Sequence, residues 1–299
     1  MRPLRALGIY LLAIFLGGAV LAPWVWHAVQ AGGPWLAKAA SKPFARYVVN
    51  SMLIVAVLGL WPFFRALGAK SRREIGLSGT VENADRILKG VGLGLASLAP
   101  VVGLALLTGG RVWREGLLVG VVTGKLIGAV FTAGVVAFLE EILFRGGMFG
   151  ALRKVFDWRF ALIVSAVAYA GAHFLEEVNF QGPVAWYSGL AVLPRMWHGL
   201  VNLQMLVPAL FTLTLAGALL ALAYQRTGNL YFSIGLHAGW IFWLAAGRLF
   251  TAVPANTSAW FWGTDKLIDG WLACLALGIT LVVYWRLPVP RAEGAYGWK

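Results

Sequence analysis

The chain has 299 residues, of which 60% are hydrophobic and only 12% charged, with a formal net charge of +13. A soluble domain carries about a quarter charged residues, so this composition, with a mean hydropathy of +0.77, excludes an ordinary soluble domain. Its basic residues are scattered through short loops, which argues against a nucleic-acid surface and for juxtamembrane charge that sets topology and meets anionic lipid.

The first apolar stretch, MRPLRALGIYLLAIFLGGAVLAPWVW, has the basic start of a signal peptide. No convincing small-x-small cleavage site follows it, and it reads as a retained first helix. Runs near the roughly 20 residues that cross a bilayer then predict eight spans, at residues 6–26, 47–64, 87–108, 117–152, 160–175, 201–224, 230–249 and 267–285. In lipid the backbone must satisfy its own hydrogen bonds, so these are helices. The expected fold is an all-α polytopic bundle forming one integral membrane domain over residues 1–299.

The fourth span is too long for one simple crossing and is expected to tilt, to break near Gly146-Gly147, or to protrude. Residues 65–86 form a basic loop. Residues 176–200 set Trp186, Tyr187, Trp197 and His198 among Gly182-Pro183 and Pro194. Such aromatic, proline-broken sequence suits an interfacial or re-entrant segment. Lys and Arg concentrate on the side that carries Arg2, Arg65, Arg72, Arg73, Arg153 and Arg226. Both termini are therefore expected on the cytoplasmic side of a bacterial-type inner membrane. The single Cys274 lies in an apolar run, which leaves no internal disulfide and suits a packing role.

Ionisable residues inside spans are costly and mark function by default. Glu140, Glu141, Arg145 and Lys125 lie in the fourth span, His173 near the end of the fifth, and His237 in the seventh. Glu141 and Arg145 are spaced i, i+4 and share a helix face. Glu140 points about 100° away and needs another partner. An ionic clasp between helices accounts for Arg145 but not for Glu140. Counted from the inner ends at ~1.5 Å per residue, Glu140, His173 and His237 lie about 20, 22 and 14 Å deep. A carboxylate and two imidazoles thus fall at similar heights.

A buried carboxylate serves as a general base toward water, and imidazoles orient that water or donate to an oxyanion. Glu with two His is equally a zinc ligand set. No H-E-x-x-H, E-x-x-H pair or aspartate-rich cluster supports other membrane chemistries.

The stretch F-L-E140-E141-I-L-F-R145-G resembles the EExxxR signature of the CPBP family of intramembrane proteases, the CAAX proteases and bacteriocin-processing enzymes also called Abi. Y169-A-G-A-H173 resembles its second motif, FxxxH, with Tyr in place of Phe. G228-N-L-Y-F-S-I-G-L-H237-A-G-W resembles the third, and the likeness spans about residues 117–245. The resemblance implies an endopeptidase of the CAAX prenyl protease 2 type acting on a membrane-tethered or hydrophobic peptide. In it Glu140 activates water, His173 assists, His237 stabilises the oxyanion, and Glu141 and Arg145 support the site. No cofactor is implied, with zinc on Glu140, His173 and His237 as the alternative. Ile241 departs from the pattern, because the third motif places Asn or Asp four residues after its histidine. Asn202 or backbone is a conceivable substitute, and Glu176 or Glu177 a partner for the His173 ring. A non-catalytic scaffold, immunity or transport protein that keeps the cluster for packing is the other reading.

Overall fold

The computed structural model describes residues 2–77, 79, 83–175, 178, 180–200 and 203–288. Helices stand at all eight places where spans are expected: α1 (Arg2–Gln30), α2 (Phe44–Ala66), α3 (Asn83–Leu107), α4 (Val119–Arg153), α5 (Trp158–Ala172), α6 (Leu203–Thr227), α7 (Tyr231–Phe250) and α8 (Trp271–Arg286). Among the described residues, five helices are long and apolar enough to cross a membrane: α1 to α4, and α6 from Leu206. Helices α5 and α8 are apolar but have only 15 and 16 residues. Helix α7 has the length, at 20 residues, but includes His237 and Arg248.

The chain divides into two compact units where one domain is expected: Met1–Gly68 with Gly171–Asn202, and Ala69–Ala170 with Leu203–Lys299. Residues 171–202 leave the second unit because their neighbours are the first two helices. In the first unit, Gly18 lies so close to the backbone of Met52 that a Cβ would fall 2.6 Å from its Cα, and Gly189 is pressed against Ala19 O. Around these approaches Ala22, Phe44, Tyr47, Val48, Met52, Val192 and Met196 form a buried cluster. The aromatic segment folds as two short helices, Ser188–Val192 and Leu193–Leu200, and leaves Trp186 and Tyr187 exposed.

In the second unit, α7 packs against α3 and α4. Gly90 and Gly94 on α3 face Gly235 and Gly239 on α7, a pair of small residues four apart on each helix. A Cβ on Gly94 would lie 2.5 Å from Leu236 O, and one on Gly239 2.8 Å from Val91 O, while Gly90 and Gly235 meet Phe232 O and Ile87 O. Small residues let two backbones meet, which is how helices associate in lipid. Trp240 Nε1 seals the pair by donating to Ser97 Oγ at 2.8 Å. His237 stands two residues from each α7 glycine, about 200° around the helix, and so faces away from α3.

A two-residue antiparallel ladder, β1 (Val112–Trp113) on β2 (Thr251–Ala252), ties the start of α4 to the end of α7. Beneath it Arg111 is buried and donates to Thr251 Oγ1 at 2.8 Å and Thr264 O at 3.1 Å. Burial pushes this guanidinium below its ordinary value, and Asp265 and Asp269 pull it back up.

Helix α4 does not break at Gly146-Gly147. It widens instead into a π-helix over Ile142–Phe149, with Gly150 N donating to Arg145 O. The π turn keeps the backbone bonded through the glycine pair, where a break would leave donors unmet in lipid.

Candidate active site

Glu140 and Glu141 are the last residues of the regular part of α4, immediately before the π turn. Their environments differ. Glu141 is fully buried, and its Oε1 accepts from Arg145 Nη1 at 2.9 Å and faces His237 Nδ1 at 3.0 Å. Glu140 keeps 28% of its side chain exposed and turns Oε2 toward His237 Nε2 at 3.8 Å. One histidine on α7 therefore lies between two adjacent carboxylates on α4, with one ring nitrogen toward each.

The i, i+4 pairing predicted for Glu141 and Arg145 is present, and Arg145 does more than balance it. Its Nη2 donates to Gly217 O on α6 at 3.3 Å, and its guanidinium lies 4.3 Å over the ring of Tyr169 on α5. Gly217 makes the close approach possible, since a Cβ there would lie 2.9 Å from Ala166 Cα. Arg145 thus joins α4, α5 and α6. A buried ion pair of this kind contributes little net stability, but losing one partner costs several kcal/mol.

Tyr169 is buried, and its hydroxyl lies 3.2 Å from His237 Nε2. Its ring meets Phe144 edge-on at 5.1 Å. The structure therefore brings together Glu140, Glu141, Arg145, Tyr169 and His237, from α4, α5 and α7 of one unit. His173 falls in the other unit. It lies one residue past α5, in a turn closed by Phe174 N donating to Gly171 O at 3.1 Å, and it is exposed. Glu176, Glu177 and Asn202 lie outside the described residues, as does the side chain of His198.

Sequence reasoning read Tyr169 only as a stand-in for Phe and did not see its hydroxyl in the site. It also passed over the glycines that place His237, although their four-residue spacing was there to read.

Ile241 is one turn beyond His237 and lines a cavity of about 360 Å³ with Lys125, Ala129, Thr132, Ala245 and Arg248. On α4 the residues Lys125, Ala129, Thr132 and Glu140 share one stripe, and on α7 so do His237, Ile241, Ala245 and Arg248. Lys125, expected to snorkel or line a polar cavity, is exposed and lines this one. Among the described residues no group of three or more His, Cys, Asp or Glu is placed to hold a metal ion.

The long apolar helices make this an integral membrane protein, and the buried Glu–Arg–His cluster gives it a polar centre. Residues 122–243 match the family model described as type II CAAX prenyl endopeptidase Rce1-like. That match covers less than half of the chain and contains all three motif regions. The resemblance read from Glu140-Glu141, His173 and His237 is borne out over this segment. No curated protein and no solved structure matches the chain.

Proposed function

We propose that the chain is an intramembrane endopeptidase in which Glu140 activates a water to hydrolyse a peptide bond. The observation that carries this reading is the facing of Glu140 Oε2 and His237 Nε2 at 3.8 Å beside a charge-balanced Glu141–Arg145 pair. A water at about 2.8 Å from each, an ordinary hydrogen-bond distance, makes a triangle on that base. Arg145 and His237 Nδ1 hold the fully buried Glu141, and the partly exposed Glu140 is assigned the proton transfer. In the reaction one water proton passes to Glu140 as the oxygen attacks the carbonyl, and the departing amine takes it up. His173 is assigned the assisting role by its place in the second motif.

The substrate is a membrane-tethered or hydrophobic peptide. The cavity between α4 and α7 supports an approach along the helices, with apolar walls and with Lys125 and Arg248 at its far end. We place the catalytic centre in a bacterial-type inner membrane with both termini cytoplasmic, on the distribution of Lys and Arg. The test is cleavage by purified, reconstituted protein of a quenched fluorescent CAAX peptide, farnesylated and unfarnesylated. Wild-type protein is expected to cut one of them, and Glu140→Gln and His173→Ala to abolish cutting while folding normally. Cutting retained by both variants sinks the mechanism.

A further inference from the structure

Lys125 on α4 and Arg248 on α7 line one cavity, and among the described residues neither makes a hydrogen bond or an ion pair. The other cations at this end of the two helices are committed. Arg111 donates to Thr251 Oγ1 and Thr264 O, and Arg114 Nε donates to Thr251 O at 3.0 Å. Two uncommitted cations therefore face one opening. Like charges repel most where water is scarce, and an anion between them reverses the sign of that energy.

The place and the walls of the cavity narrow the choice of anion. Lys125 stands in the second turn of α4 and Arg248 in the last turn of α7. Long basic side chains near the ends of spanning helices reach the headgroup level. Around the opening α4 is turned to lipid, with Ile127, Val130 and Phe131 exposed. Behind the cations the walls are apolar: Ala129 and Ala245 leave room, Ile241 adds a face, and Thr132 brings a single hydroxyl. A peptide reaching from Glu140 to Lys125 would cross about 22 Å at ~1.5 Å per helical residue. At ~3.4 Å per extended residue that is about five to seven peptide units. Their N–H and C=O groups would find almost no partners on these walls, and unmet backbone groups are costly in lipid. An acyl chain needs none.

We infer that this cavity is a binding site for an anionic phospholipid of the surrounding bilayer. Its phosphate lies between Lys125 and Arg248, and one acyl chain lies along Ala129, Ile241 and Ala245. A zwitterionic headgroup fits less well, because it brings a third cation to the pair. A lipid seated there occupies the route proposed above for the substrate, so an entering peptide displaces the acyl chain. The site itself does not depend on proteolysis.

The test uses the purified full chain in neutral detergent with phosphatidylglycerol or phosphatidylcholine added, and counts bound lipid by native mass spectrometry. One phosphatidylglycerol per chain is expected, held about thirtyfold more tightly than phosphatidylcholine, at about fivefold for each cation. Lys125→Gln/Arg248→Gln should lose that preference. Ala245→Trp keeps both cations and fills the groove, and it should weaken phosphatidylglycerol binding as well. In a second readout, phosphatidylglycerol should raise the melting temperature of wild type and leave that of the double variant unchanged. Equal binding of the two lipids by wild type overturns the inference. So does undiminished binding in Ala245→Trp, which would leave surface attraction only. An apolar peptide held more tightly as the free acid than as the amide, with no preference between the lipids, assigns the cations to a substrate carboxylate and overturns it too.

Discussion

Replacing Glu141 with Gln keeps the size of the side chain and removes its charge. Arg145, with 2% of its side chain exposed, is then a buried cation without its carboxylate. Breaking a buried pair by removing one partner costs about 3–5 kcal/mol. The amide oxygen still accepts one bond, which puts the expected loss near the lower end, at about 3 kcal/mol. At roughly 2–4 °C per kcal/mol, the apparent melting temperature falls by about 6–12 °C. Glu140→Gln, one residue away, is a contrast. Glu140 is partly exposed and 3.8 Å from its imidazole, and the buried Arg145 pairs with Glu141, so losing Glu140 is expected to cost less than losing Glu141. Thermal unfolding of both purified variants in one detergent, followed by intrinsic tryptophan fluorescence, reads the difference. Equal melting temperatures for the two variants would refute the division of roles between the adjacent glutamates.

Gly235→Ala drives a Cβ into Ile87 O, and is expected to lower the melting temperature and cleavage together by spreading α3 from α7. Gly247→Ala on the same helix meets nothing within 4 Å and should be neutral or stabilising. Arg111→Met removes the bonds to Thr251 and Thr264. At about 1.5–3 kcal/mol per charged hydrogen bond, it should melt well below wild type, whereas Arg248→Met on exposed surface should not. Cleavage should survive o-phenanthroline and stripping of bound metal. Loss of activity that zinc restores would favour the metal reading.

Much of this was legible because membrane insertion writes itself into the sequence. Among the described residues, helices stand within a few residues of each expected apolar run, five of them long and apolar enough to cross a membrane, and the i, i+4 spacing paired Glu141 with Arg145. The course of α4 was not legible, because the glycine pair that suggests a break also permits a π turn. Which helices meet was not legible from hydropathy, since lipid and helix surfaces are equally apolar. The information sits in Gly90, Gly94, Gly235 and Gly239, whose lack of side chains lets α3 and α7 touch. The hydroxyl of Tyr169 was legible as a residue type but not as a site group. Its role depends on the turn of α5 relative to α7, which tertiary packing decides. Similar depth and the likeness of Y169-A-G-A-H173 to the second motif grouped His173 with Glu140 and His237, and the structure places His173 in the turn just beyond α5.

The measurement that bears most directly on the central claim is the cleavage rate of Glu140→Gln against wild type, on reconstituted protein with a single defined peptide. The account predicts a loss of at least a thousandfold, with an unchanged melting temperature. A Glu140→Gln protein that cuts the peptide at the wild-type rate contradicts it.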